Sequence, residues 1–131
     1  MTAASTSGVD HANSYVFTQP FWDGISQGKL VLQYCPVTGR FQHPPRPVSI
    51  YTGRCHLEWR EVTGLGAIYA RTVIGKGDRR TRLVSVDLDE GVRVVGKLLG
   101  AEAAGEIGER VRLAWDAQPG GQKYPAFELC R

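Results

Sequence analysis

Two short turns between residues 35 and 53 have the spacing of a metal-binding site but few of the side chains that such a site needs. The turns are 35–39 (CPVTG) and 49–53 (SIYTG). A zinc ribbon places a thiolate at each end of two such turns, so that four thiolates surround one tetrahedral ion. Only Cys35 supplies a thiol here, and neutral hydroxyls are poor zinc ligands. The other three ligand positions hold Thr38, Ser49 and Thr52. We therefore predict a degenerate zinc ribbon that keeps its shape without the metal.

A different set of side chains, Cys35, His43, Cys55 and His56, could in principle restore a metal site. Two features argue against it. Cys55 and His56 are adjacent, and a strand would send their side chains to opposite faces. His43 lies outside both turns, in the proline-rich segment 41–47. We instead expect Cys35 to be a buried apolar residue and the hydroxyls to cap the turns through backbone hydrogen bonds.

Catalysis by the chain alone has little support in the sequence. No local signature places a nucleophile beside a base and an orienting acid. The carboxylates Asp87, Asp89 and Glu90 cluster at a predicted hairpin, where solvated turn residues are expected. A small enzyme using Cys35 or Cys55 stays as an alternative, and alkylation of its thiols would abolish turnover.

The composition is that of a single small domain. A chain of 131 residues can bury one compact core, and a net charge of +3 does not by itself demand an acidic partner. Three cysteines form an odd set, which favours reduced thiols and a cytoplasmic setting. We identify no secretory leader and no apolar run long enough to span a bilayer.

The N-terminal part is predicted as a disordered tail over residues 1–14 and a helical segment over 15–28. Thr18 suits the N-cap, Pro20 the first turn and Gly28 the C-terminal stop. Phe21 and Ile25 lie one turn apart on one face of this helix. With Trp22 and Phe41, they form the apolar set that we predict as a partner-docking surface.

The remainder is predicted as β structure, with the ribbon over residues 29–60 and a barrel over 61–131. Prolines make 41–47 a stiff extended strut. Alternating patterns predict strands over 56–62, 64–74, 82–88, 92–98, 110–115 and 124–129, the last of them at a sheet edge. Strands with glycines at their entry and one hairpin suit a five-stranded barrel of the OB type. The predicted fold class is thus mainly β.

Taken together, these pieces resemble the DUF35 family, in which a helical segment and a rubredoxin-like zinc ribbon precede an OB-fold. The resemblance covers the chain from about residue 15 onward, and the order and spacing of the motifs are more specific than any one of them. In the first half, the matching motifs are Pro20-Phe-Trp22, Gly28-Lys-Leu30, Gly39 with His43-Pro-Pro-Arg46, and Leu57-Glu-Trp59. In the barrel they are Gly64-x-Gly66-x-Ile-Tyr69 and Val86-x-Leu-Asp-Glu-Gly91-Val-Arg93.

The resemblance implies a non-catalytic accessory subunit of an acyl-CoA enzyme. Such proteins associate with thiolase-like enzymes or with hydratases of the MaoC type, and help to hold the acyl-CoA. Of the family's ribbon ligands, only Cys35 is matched here. We accordingly predict no cofactor, a CoA ester as the ligand, no membrane partner, and a chain that could also form homo-oligomers.

A basic set is the predicted contact for the phosphates of CoA, because arginine forks match phosphate geometry. Its members are Lys76, Arg79, Arg80, Arg82, Arg93 and Lys97. The same charges would suit the backbone of single-stranded nucleic acid, which OB barrels often bind. That alternative also needs exposed aromatic rings for stacking, and Tyr69 is its main candidate. A solvated loop without any ligand is the third interpretation of the same residues.

Overall fold

The computed structural model describes residues 18–100 and 105–130. The predicted tail over 1–14 lies outside them. The first element is the helix α1 (Gln19–Ser26), with Pro20 in its first turn. The backbone N–H groups of Gln27 and Gly28 close its C-terminus on the carbonyls of Gly24 and Ile25. Gly28, at a φ of 74°, then turns the chain away, as predicted for a C-terminal stop.

Three short strands form the ribbon sheet: β1 (Val31–Cys35), β2 (Arg40–Gln42) and β3 (Glu58–Glu61). The strand order is β2-β1-β3, and both pairings are antiparallel. The strand predicted from residue 56 begins instead at Glu58, because His56 is held by side-chain contacts in the turn region.

Five longer strands close into a barrel in the order β4-β5-β6-β8-β7, which confirms the predicted fold class. They are β4 (Gly66–Ile74), β5 (Thr81–Leu88), β6 (Arg93–Leu98), β7 (Arg110–Ala117) and β8 (Lys123–Leu129). The prediction that the last strand is an edge was wrong. β8 pairs antiparallel with β7 and parallel with β6, and the β6 pairing begins at Ala126, one residue after Pro125. The final strand therefore closes the barrel.

A β-bulge in β4 changes which side chains face the barrel interior. The pairing with β5 is regular up to Ile68↔Val86 and resumes at Ala70↔Ser85, so Tyr69 is the extra residue. Residues paired across a sheet share one face. After the bulge, Arg71 pairs with the buried Val84, and the alternation along β4 is reversed.

One apolar core joins the ribbon to the barrel. Leu30 and Leu32 of the ribbon, and Val62 directly after β3, lie in the same cluster as the barrel's Phe127 and its inward valines. Phe21 of α1 packs against this cluster. The connection is fixed further by the Thr63 N–H, which donates to Glu90 Oε2 at 2.8 Å, and by the Asp89 N–H, which donates to the Leu65 carbonyl at 2.9 Å. None of the helices in the described part of the chain is long and apolar enough to cross a membrane.

Candidate functional sites in the ribbon and at the barrel end

Cys35 lies at the centre of a hydrogen-bonded cluster that brings the two ribbon turns together. Its thiol is fully buried, and Sγ is 3.3 Å from His56 Nε2. The same imidazole nitrogen is 3.1 Å from Thr52 Oγ1. Ser49, 1% exposed, accepts from the backbone N–H groups of Tyr51 and Thr52. The hydroxyls of the second turn thus cap their own backbone, as predicted.

The electrostatic environment of this cluster favours a thiolate. Burial raises the pKa of the Cys35 thiol, but hydrogen bonds from Ser49, Thr38 and His56 outweigh it and lower the pKa from 9.0 to about 6. Burial is the largest single influence on the pKa of this thiol, but the hydrogen bonds to its charged form together outweigh burial.

The donor set does not fit a tetrahedral zinc ion. Cys35 is the only thiolate at the four ligand positions, and hydroxyl groups complete the set. The alternative ligands are not assembled either: His43 packs against Phe21, and the exposed Cys55 lines a separate small cavity beside Trp59. Within residues 18–100 and 105–130, no three Cys, His, Asp or Glu side chains are grouped to hold a metal.

His43 lies in a mainly apolar setting. Its ring centroid is 5.6 Å from that of Phe21, and its buried Nδ1 has no hydrogen-bond partner among the described residues. Burial lowers the pKa of this imidazole, so the neutral form is favoured. His43 therefore acts in packing within the proline strut.

Three of the six predicted phosphate-binding residues line one cavity of about 510 Å³. They are Arg80, Arg82 and Lys97. The cavity walls also include two carboxylates, those of Asp78 and Asp116, and the Asp116 carboxylate is 2.9 Å from Lys97 Nζ. Lys76 and Arg79 belong to the same loop but do not line the cavity. Arg93 lies away from it and pairs with Asp87 at 2.6 Å.

A second cavity, of about 360 Å³, adjoins the first and shares Val73, Arg82 and Leu98 with it. Its wall adds Val84 and Arg71. Arg71 was missed in the sequence because the bulge at Tyr69 brings it to the inner face of the barrel. Its Nη1 is 3.3 Å from the Gly105 carbonyl. The end of the barrel therefore combines arginines with an apolar wall in two neighbouring hollows.

The predicted docking residues differ in their exposure. Ile25 is 3% exposed and lies in the core, so this side chain cannot form part of a docking surface. Phe21 and Trp22 are half-buried, with ring centroids 5.1 Å apart in an edge-to-face arrangement. Phe41, also half-buried, packs against Tyr34 at 4.9 Å. Parts of these three rings stay at the surface.

Tyr69 is 51% exposed, but one face of its ring is covered. The Arg93 guanidinium carbon lies 3.5 Å from the ring centroid, within the range of a cation–π contact. A base could stack only on the opposite face, which weakens the nucleic-acid alternative.

Comparison with known proteins places this geometry in a family. Residues 22–48 match the family model described as the ChsH2 rubredoxin-like zinc ribbon domain. A solved structure, the Ltp2-ChsH2(DUF35) aldolase, contains a chain that is 26% identical and superposes with a TM-score of 0.79. The alignment covers 88% of this chain and 96% of that one. The predicted resemblance to the DUF35 family is therefore confirmed.

Two further relatives extend the comparison. A DUF35 protein of unknown function from Sulfolobus solfataricus has the same fold, with a TM-score of 0.67 at 12% identity over 92% of this chain and 90% of that chain. A probable enoyl-CoA hydratase alpha subunit from Thermomonospora curvata is 32% identical over 76% of this chain. The alignment covers 34% of that relative, so this chain spans about a third of its length.

Proposed function

We propose that this chain is a non-catalytic accessory subunit that associates with an acyl-CoA enzyme and helps to seat the CoA moiety. The observation that carries the proposal is the pair of adjoining cavities sharing Arg82, one lined by three cations and two carboxylates and the other mainly apolar. CoA has the same division, with phosphate groups at one end and an apolar acyl chain at the other. The names of two relatives, an aldolase complex and an enoyl-CoA hydratase subunit, support the same class of partner.

Phosphate binding would rest on Arg80 and Arg82. Both are arginines, whose planar forks donate two parallel hydrogen bonds to a phosphate. Lys97 supplies a third charge, although Asp116 neutralises much of it. The apolar wall formed by Val84 and Leu98 would accept the uncharged part of the ligand.

The binding test compares two double variants that lose the same charge. Arg80→Gln with Arg82→Gln removes both cavity arginines, whereas Lys76→Gln with Arg79→Gln removes two neighbouring cations that do not line the cavity. Charged hydrogen bonds contribute about 1.5–3 kcal/mol each, so we expect the first pair to weaken CoA binding by at least about tenfold. Titration calorimetry at fixed salt should show little change for the second pair. Equal losses in both variants would refute the cavity as the CoA site.

The partner is proposed to be a thiolase-like enzyme or a MaoC-type hydratase. Affinity capture of the tagged chain from its own cell lysate, with and without nuclease, identifies it by mass spectrometry. We expect a stoichiometric acyl-CoA enzyme in both samples. Recovery of mainly nucleic acid, or loss of the captured proteins after nuclease treatment, would instead support the single-strand binder.

A further inference from the structure

The two turns of the ribbon meet at one imidazole nitrogen. His56 Nε2 lies 3.3 Å from Cys35 Sγ of the first turn and 3.1 Å from Thr52 Oγ1 of the second. A structural zinc ion joins the turns of a ribbon by the same connectivity, since it takes ligands from both. We infer that His56, together with the hydrogen bond from Ser49 to the Cys35 thiol, replaces the metal in joining the two turns, so that this ribbon folds without zinc. This inference is independent of the proposed function.

The hydroxyls that stand at ligand positions are engaged in the turn itself. Ser49 Oγ accepts from two backbone N–H groups, at 3.1 and 3.3 Å, and Thr52 Oγ1 accepts from the Arg54 N–H at 3.2 Å. In a zinc ribbon, side chains at these positions are directed at the ion. Here Ser49 and Thr52 hold the backbone of the second turn, and Ser49 also forms a hydrogen bond with the Cys35 thiol.

The cluster is also complete in its hydrogen bonds. Burying a polar group without a partner is costly, so an unfilled site would leave orphaned polar atoms. Among the described residues, the buried side-chain nitrogen and oxygen atoms without a partner are His43 Nδ1 and Glu90 Oε1. Neither belongs to the cluster around Cys35.

The backbone of the second turn delivers His56 to this position. The Ser49 N–H donates to the Arg54 carbonyl at 3.0 Å, and the Gly53 N–H donates to the Ser49 carbonyl at 2.8 Å. This closed loop returns the chain toward Cys35 two residues before β3 begins at Glu58. His56 lies outside the matched ribbon segment 22–48 and is not one of the four ligand positions.

The first experiment measures metal content and chelator sensitivity of the full chain. We expect far less than one zinc per chain by elemental analysis after expression in zinc-supplemented medium, and an unchanged Tm in EDTA. The matched control carries Thr38→Cys, Ser49→Cys and Thr52→Cys, which restores four thiolates. This variant should bind one zinc and lose stability in EDTA. Stoichiometric zinc in the wild-type chain, or a Tm lowered by EDTA, would overturn the inference.

The second experiment tests which atom of His56 forms the crosslink. The amide nitrogen of glutamine reaches about as far as Nε2, whereas that of asparagine reaches only as far as Nδ1. His56→Ala and His56→Asn should lower Tm by about 5 °C and speed amide hydrogen exchange in both turns. His56→Gln should retain most of the wild-type Tm and protection. If His56→Ala does not fold, the comparison of His56→Gln with His56→Asn still tests the role of Nε2. Equal Tm and equal protection in those two variants would refute the assigned role.

Discussion

Cys35 shows at the scale of one residue how this ribbon differs from a metal site. The thiol is fully buried, yet its surrounding donors lower its pKa to about 6. In a zinc ribbon the ion would stabilise the thiolate. Here hydrogen bonds from Ser49, Thr38 and His56 stabilise the thiolate instead.

This pKa gives a prediction for stability against pH. The pKa of the Cys35 thiol is about 6 in the folded chain, against an ordinary value of 9.0. Between these pH values the unfolded chain therefore binds more protons than the folded chain. The contribution of Cys35 to stability is therefore complete above about pH 9 and is lost as the pH falls through about 6. Urea unfolding of wild type and Cys35→Ser should show a stability difference that grows with pH across this window.

The exposed Cys55 provides the matched control for that series. Cys55→Ser should follow the wild-type pH dependence throughout, because its thiol is outside the cluster. A difference between wild type and Cys35→Ser that stays constant with pH would contradict the assigned thiolate.

Helix α1 illustrates, at the scale of elements, how one small residue sets a packing distance. A Cβ added at Gly24 would lie 2.7 Å from Val31 Cγ2 and 3.1 Å from the Lys29 carbonyl. Alanine normally stabilises a helix interior by about 1 kcal/mol relative to glycine. The close approach of α1 to β1 reverses that preference here.

We therefore expect Gly24→Ala to destabilise the fold by about 1–3 kcal/mol, the usual cost of overpacking. The double variant with Val31→Ala should be less affected than the sum of its two single variants, because the second change removes the clashing methyl group. Gly28→Ala is the contrasting control: its φ of 74° strains any side chain, but no atom lies within 4 Å of the added Cβ. Its cost of about 1 kcal/mol should not depend on Val31. Thermal and urea unfolding measure all of these differences.

The strands also show what the sequence could predict. Alternation of apolar and polar residues located the five barrel strands, because each has one face in the core. It could not reveal the bulge at Tyr69, since an extra residue in the pairing leaves no mark on residue type. Arg71 was consequently missed in the cavity, while Arg80, Arg82 and Lys97 were predicted from charge alone.

Long-range contacts explain the other differences. The segment 124–129 was predicted as an edge strand, but its parallel pairing with β6 begins just beyond Pro125. His56 was assigned to a strand, and its contacts with Cys35 and Thr52 depend on how the loop before β3 closes. Ile25 was predicted on a docking face and lies in the core, since amphipathicity identifies an apolar face but not what covers it.

At the scale of the whole molecule, the shared core predicts cooperative unfolding. The helix, the ribbon and the barrel each contain one tryptophan: Trp22 in α1, Trp59 in β3 and Trp115 in β7. Three variants, each keeping one tryptophan and carrying phenylalanine at the other two positions, report the parts separately. Because Leu30 and Leu32 pack with barrel residues, we expect the helix, the ribbon and the barrel to unfold together. In each variant, the denaturation midpoint from tryptophan fluorescence should equal the midpoint from circular dichroism. Separate midpoints for Trp59 and Trp115 would show that ribbon and barrel unfold independently.

A destabilising substitution within the ribbon should therefore also lower the stability measured in the barrel. Leu32 is fully buried, and Leu32→Ala removes methyl groups from the shared cluster at a cost of about 2–5 kcal/mol. Urea unfolding followed at Trp115 should report the same loss as at Trp59. As a control, Val37→Ala, at a ribbon position that is 69% exposed, should leave both midpoints unchanged.

The same shared core constrains the order of events during synthesis on the ribosome. Leu30 and Leu32 leave the exit tunnel well before Phe127, the barrel residue that completes their packing. A ribbon organised by metal could become rigid as soon as its last ligand emerged. In this chain the packing of β1 is complete only after β8 has been made and has closed the barrel between β6 and β7. We therefore expect the apolar face of the nascent ribbon to remain accessible to chaperones until β8 has emerged.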